Sequence, residues 1–117
     1  MNKLVSKYQP IKRYQWGDNC DSWNLVDQVD FTVKQELMPP GTSEQLHYHQ
    51  HSHQFFFILA GTATFEIEDE EIEVSLHEGL DIQADKKHRI QNNGNTNLEF
   101  ILFSQPGIVN DRINIEL

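Results

Sequence analysis

Basic side chains, cysteine and long apolar runs are all scarce in this chain of 117 residues, and each shortage removes a class of function. Nine Lys and Arg stand against 18 Asp and Glu, for a net charge of −9. Nucleic-acid binding depends on a basic stripe that neutralises phosphates, and here the cations are scattered, so no nucleic-acid partner is expected. The same charge disfavours anionic membrane surfaces, and no stretch approaches membrane-spanning length. Cys20 is the lone cysteine, which excludes an intramolecular disulfide and a cysteine-based zinc site. The N-terminal stretch MNKLVSKYQPIKRYQW lacks the apolar segment of a signal peptide, so a soluble, cytoplasmic protein is expected. This length suits one domain with a real core, and an apolar content of 38% suits a globular chain.

A helical period is missing as well. Residues 1–24 read as an arm, broken by Pro10 and the Trp16-Gly17-Asp18-Asn19 turn signal, with Trp16 and Trp23 offering apolar surface to the core or to a second subunit. From there the period is two: Val29, Phe31 and Val33 alternate with polar neighbours, as in a half-buried strand. Pro39-Pro40-Gly41 breaks the pattern, and Gln45 to His49 forms the next strand. Gln54 to Ala60 is apolar on both faces, which predicts a strand covered on both sides. Ala63, Phe65 and Ile67 alternate in turn, and Glu68 to Glu71 makes an acidic hairpin tip without the usual Asn-Gly. Further short strands follow at Ile72–Leu76, Leu80–Ala84 and His88–Asn92, and Leu98–Phe103 is the last core strand. Many short strands punctuated by Gly and Pro predict an all-β fold, a closed jelly-roll barrel over 25–105 with a tail at 106–117.

What the chain has in excess is histidine in one place. Four of its six histidines, His47, His49, His51 and His53, occupy every second position of one short stretch. Imidazole is the commonest protein ligand for transition metals and the side chain that titrates nearest neutrality, so a metal or acid–base site is the first expectation. His47 and His49 share one strand face. If residues 50–53 turn, Gln54 joins them, with Phe56 and Ile58 continuing its face. A buried Gln among phenylalanines leaves its amide unpartnered, at a cost of about 1–3 kcal/mol, unless something binds it. His51 and His53 fall in the inferred turn and His77 beside another, where solvent exposure is expected. Asn92 is expected to hold the turn at Asn93-Gly94.

At these residues the chain resembles the cupin superfamily. Gly41, five residues, His47-Tyr48-His49, four residues, Gln54, six residues and Gly61 follow that superfamily's first motif, with Gln54 in place of its glutamate. His88, three residues and Asn92 fit the end of the second motif, whereas Gly79 stands too close to the histidine, and Gln83 and Asp85 replace Pro and Gly. Asp85 tolerates the left-handed conformation better than most residues. The resemblance implies a single-domain jelly-roll barrel, metal ligands at His47, His49, Gln54 and His88, and a ligand pocket reaching Phe56, Ile58 and Ile90. Three imidazoles and a carbonyl oxygen suit a divalent Mn, Fe, Co, Ni, Cu or Zn ion. Four neutral ligands leave the ion its full charge, which favours an anionic or carbonyl-bearing small molecule and weakens metal retention. The resemblance also implies a homodimer.

Three functions compete at this point. One is a metal-dependent cupin that binds, and transforms by dioxygenation or isomerisation, an organic acid or dicarbonyl compound. A second is a metal-free sugar-nucleotide ketoisomerase, whose paired histidines would shuttle protons near neutral pH. It needs cations for a diphosphate, and the nearest along the chain are Lys86, Lys87 and Arg89. The third is a non-catalytic module for a small ligand.

Overall fold

The computed structural model describes residues 3–107 and 111–116. Its strands are β1 (Lys12–Trp16), β2 (Cys20–Asp27), β3 (Thr32–Met38), β4 (His47–His49), β5 (His53–Ala60), β6 (Ala63–Ile67), β7 (Glu70–Val74), β8 (Gly79–Ile82), β9 (His88–Gln91), β10 (Leu98–Gln105) and β11 (Arg112–Asn114). No helix among the described residues is long and apolar enough to cross a membrane. The strands form two antiparallel sheets, one of six in the order β1-β2-β3-β10-β5-β8 and one of five in the order β11-β4-β9-β6-β7. This is a jelly-roll sandwich. The expected closed barrel is corrected to two sheets with open edges, because no ladder joins β1 or β8 to the smaller sheet.

Alternation explains why the sheets face each other. Phe56, Ile58, Phe100 and Leu102 point inward from the larger sheet, and Ala63, Phe65, Val74 and Ile90 from the smaller one. The Phe65 ring meets that of Phe56 edge-on at 4.9 Å, and Phe56 lies 5.6 Å from Phe100. Each fully buried aromatic contributes about 1.5–3 kcal/mol relative to exposure. Gly61 turns the chain between β5 and β6 at φ +79°, where a Cβ would stand 2.7 Å from the Asn97 carbonyl oxygen. The acidic tip holds as a hairpin: Glu68 and Asp69 both take positive φ (45° and 71°), the geometry a two-residue turn of this kind demands.

Several expectations are displaced. The arm expected at 1–24 supplies two strands, β1 and β2, since Lys12–Trp16 pairs residue for residue with Cys20–Asn24. Likewise β11 lies in the expected tail and pairs with β4. The strand expected around Val29 begins only at Thr32. Gln28 donates its N–H to the Phe31 carbonyl, so 28–31 is a turn, and Val29 is exposed. Its apolar alternation ran across a hairpin bend. The described residues cover the outer face of β5 only in part, for Phe55 and Leu59 stay 40% and 37% exposed.

Candidate metal centre

Adjacent strands of the smaller sheet carry the three imidazoles. His47 on β4 pairs directly with His88 on β9, and His49 lies two residues further along the same face of β4. Ring centroids stand 4.4 Å (His47–His88), 4.9 Å (His47–His49) and 5.9 Å (His49–His88) apart. One nitrogen from each ring falls within 4.8 Å of the other two, and all three residues are buried. Nitrogens bound to one ion at ~2.1 Å lie roughly 3–4 Å apart, the spacing this cluster approaches.

Gln54 arrives from the other sheet, and the corner between β4 and β5 explains how. The buried Asp111 carboxylate accepts the backbone N–H groups of His51 and Ser52, each at 2.9 Å, and Ser52 Oγ donates to the Pro106 carbonyl. This corner carries the chain from the five-stranded to the six-stranded sheet and resets the alternation, so Gln54 faces inward. Its Nε2 donates to Ser104 Oγ at 3.1 Å, leaving Oε1 3.2 Å from His88 Nε2.

Hydrogen bonds fix which nitrogen two of the rings present. Carbonyl oxygens of Gln45 and Lys86 accept from Nδ1 of His47 and His88, at 2.8 and 2.9 Å. A carbonyl only accepts, so the proton sits on Nδ1 and the Nε2 lone pairs turn to the cluster. His49 Nδ1 is buried without a hydrogen-bond partner, 3.9 Å from Asp111 Oδ2. Burial, reinforced by the neighbouring imidazoles, holds His47 down at about 3 and His49 at about 4, and burial also lowers His88. These rings are neutral at pH 7, the state in which they bind metal. At His88 a neutral Nε2 lone pair therefore confronts the Gln54 carbonyl oxygen. A cation there satisfies both groups, and so does an amide turned to donate to that lone pair while Ser104 Oγ–H donates to its oxygen. The donor set thus fits a borderline divalent ion.

Beside the cluster opens a cavity of about 530 Å³, lined from the smaller sheet by His47, His49 and Arg112 with Glu44 beside His47, and from the larger by Gln54, Phe56, Tyr14, Trp16, Lys34 and Glu36. Burial pushes the Glu44 carboxyl up to about 8 against the opposing pull of Arg112, whose Nη1 lies 3.8 Å from Glu44 Oε2. Glu44 Oε1 accepts the Ile90 N–H at 3.2 Å. Burial likewise raises Glu36, against Lys34 and Arg112. The Trp16 indole Nε1 is buried without a partner.

Of the residues singled out from sequence, His47, His49 and His88 converge, Gln54 touches His88, and Phe56 lines the cavity. Ile58 and Ile90 are corrected from pocket to closed core, both essentially inaccessible, because the cavity ends at Phe56. His51, His53 and His77 are exposed, and His53 Nε2 contacts Asp81 Oδ1. Asn92 holds its turn, donating to the Met38 and Thr96 carbonyls and accepting from Gly94 N–H. Asp85 sits at φ +67°, in the left-handed conformation anticipated for it. Sequence reasoning missed Glu36, Glu44, Asp111 and the cavity's own cations, Lys34 and Arg112, which displace Lys86, Lys87 and Arg89 as the nearest. A signal existed for two of them: Lys34 and Glu36 share the strand face of buried Met38. Nothing marked Asp111, which depends on a long-range contact.

Comparison with known proteins agrees with this geometry. None of the curated proteins matches the sequence. A predicted oxalate decarboxylase from Thermotoga maritima is 21% identical, with a TM-score of 0.78 over 89% of this chain and 99% of that one. The polyketide cyclase RemF from Streptomyces resistomycificus is 19% identical, with a TM-score of 0.81 over 100% of this chain and 87% of the other. A sugar phosphate isomerase from Silicibacter pomeroyi is 18% identical, with a TM-score of 0.76 over 88% and 75%. At such identities these likenesses establish the fold. Residues 34–104 match the family model described as Cupin domain, a span that includes all three converging histidines and Gln54, and the chain therefore belongs to the cupin family.

Proposed function

We propose that this chain is a metal-dependent cupin that holds one divalent transition ion on His47, His49 and His88, with Gln54 Oε1 as a weaker fourth ligand. The ion would draw a small anionic or carbonyl-bearing molecule into the cavity. The observation that carries the reading is the convergence of three buried, neutral imidazoles, with one nitrogen of each within 4.8 Å of the other two. When bound, such an ion acts as a Lewis acid that polarises a carbonyl and eases loss of the neighbouring proton. The chain's own groups do the rest. Phe56 and Trp16 exclude water from the bound molecule, Arg112 and Lys34 balance its charge, and Glu36 or Glu44 receives or returns a proton. Isomerisation and dioxygenation of a small organic acid both belong to this class.

Protein purified without an affinity tag should carry close to one metal ion per chain by mass spectrometry, and His47→Ala or His88→Ala should lose it. Wild-type protein with less than about one ion per several chains overturns the reading.

The metal-free ketoisomerase reading needs a histidine that titrates near neutrality. The downward shifts at His47 and His49 favour metal binding over proton shuttling. Turnover of a sugar nucleotide that survives exhaustive chelation would reverse that order. A non-catalytic binding module shares the metal centre, and saturable binding without turnover of any carbonyl compound would select it. We further read the chain as a cytoplasmic homodimer. Its support is the outer face of β5, where Phe55 and Phe57 stack at 6.4 Å with Phe55 partly uncovered, and sedimentation at micromolar concentration tests it.

A further inference from the structure

Next to the main cavity lies a second one of about 280 Å³, lined by Lys12, Tyr14, Asn24, Asp27, Thr32 and Lys34. Tyr14 and Lys34 wall both cavities, so the two are neighbours across a shared partition. Strand register builds the smaller one. Lys12 on β1 pairs with Asn24 on β2, and Asn24 pairs in turn with Lys34 on β3, which sets one amide between two ammonium groups in a single cross-strand row. Both ammonium groups lie over the Tyr14 ring, at 5.7 Å for Lys12 and 5.3 Å for Lys34, and Lys34 Nζ donates to the Tyr14 hydroxyl at 2.8 Å.

Two features of this row have no internal explanation. Among the described residues, Lys7, Arg13, Arg89 and Arg112 each make an ion pair, while Lys12 and Lys34, like Lys3, Lys86 and Lys87, make none; of these five only Lys34 is partly buried. Two like charges thus share one cavity with a single carboxylate, Asp27. Secondly, two of the lining residues, Asn24 and Thr32, only 5% and 7% exposed, carry buried Oδ1 and Oγ1 atoms without hydrogen-bond partners. Orphaned buried polar atoms are costly, and they persist where a ligand completes them.

We propose that this cavity is a recognition site for an oxyanion carried on a hydroxylated carbon chain. The oxyanion, a phosphate monoester or a carboxylate, sits between Lys12 and Lys34. Thr32 Oγ1 donates to it, and ligand hydroxyls donate to Asn24 Oδ1 and Asp27. Through the shared wall of Tyr14 and Lys34, the rest of the molecule reaches toward the imidazoles. This inference deepens the proposed function by naming the ligand class, and it rests on that reading only for the far end of the ligand.

The test is therefore made on full-length protein stripped of metal with a chelator, by calorimetric titration with glucose 6-phosphate, gluconate and glucose. At least one charged ligand should bind about tenfold or more tightly than glucose. Lys34→Gln and the more exposed Lys12→Gln should each weaken it by about tenfold, and added salt should weaken wild-type binding further. Preference for glucose 6-phosphate assigns a phosphate, and preference for gluconate a carboxylate. Charged ligands that bind no better than glucose, or both variants binding like wild type with an unchanged circular dichroism spectrum, overturn the site. Metal content of untreated protein is measured alongside. Failure there with intact charged-ligand binding removes the metal reading and leaves this site standing, and the converse result does the opposite.

Discussion

Acidification of the metal-free protein gives the most direct physical test of the site. In the unfolded chain each imidazole titrates near 6.5, whereas in the fold burial holds His47 at about 3, His49 at about 4, and His88 below its ordinary value. Between those limits the unfolded chain takes up protons that the folded chain refuses. The stability contributed by a neutral ring is whole above pH ~6.5 and is lost as pH falls, by about 1.4 kcal/mol per unit for each ring. By pH ~5 His47 and His49 together withdraw roughly 4 kcal/mol, a large part of the stability of a small domain, and His88 adds to the loss in the same direction. Glu44 runs the other way. Its carboxyl, raised from 4.5 to about 8, keeps a proton that the unfolded chain has lost, so its contribution is present at low pH and disappears as pH rises through about 8. Glu36 is shifted in the same direction. Glu44 offsets about 2 kcal/mol of that loss, leaving a net decline of about 1–2 kcal/mol from pH ~6.5 to ~5, which His88 deepens and Glu36 reduces. Above pH ~6.5 the rings are silent and the carboxyls make stability fall again. Urea denaturation followed by circular dichroism, at fixed ionic strength in a chelator, should show a maximum near pH ~6.5. His88→Phe should make the acid limb shallower. Stability that stays flat or rises on acidification would refute the neutral, buried cluster.

Gln54→Glu places a carboxylate against the ion and should tighten metal binding about ten- to hundredfold by competition titration, with the gain limited by desolvation of the new charge. An unchanged affinity would mean that position 54 does not face the ion. Asp111→Asn substitutes a donor for one of the oxygens that accept from His51 and Ser52, so chemical denaturation should report a loss of about 1–3 kcal/mol. Phe65→Ala empties a site enclosed by Phe56 and its neighbours and should cost about 3–5 kcal/mol, with no change in metal stoichiometry in the fraction that remains folded. Gly61→Ala drives a Cβ against the Asn97 carbonyl at a left-handed φ, and should cost about 1–3 kcal/mol or more by thermal melting.

Local chemistry alone determined much of this protein. The period of two, the Gly and Pro punctuation and the histidine spacing depend on near neighbours in the chain, and they specify strands, turns and a shared face for His47 and His49. Asp85 in a left-handed turn and Asn92 as a turn holder were legible for the same reason: a short polar side chain acts on its own backbone. Where an apolar alternation crossed a bend, at Val29, or where strands looked like an arm, at Lys12 and Trp23, local pattern misled, because pairing partners decide which runs join a sheet. Other features belong to tertiary structure alone. His88 meets His47 only through the β4–β9 pair, and Gln54 reaches them only because Asp111 secures a corner far away in sequence. The two lysines that bracket Asn24 come from strands whose register no single segment encodes. Closing the sandwich also removes water from Glu36, Glu44 and the imidazoles, and that desolvation, a property of the assembled fold, sets the charge each carries at neutral pH.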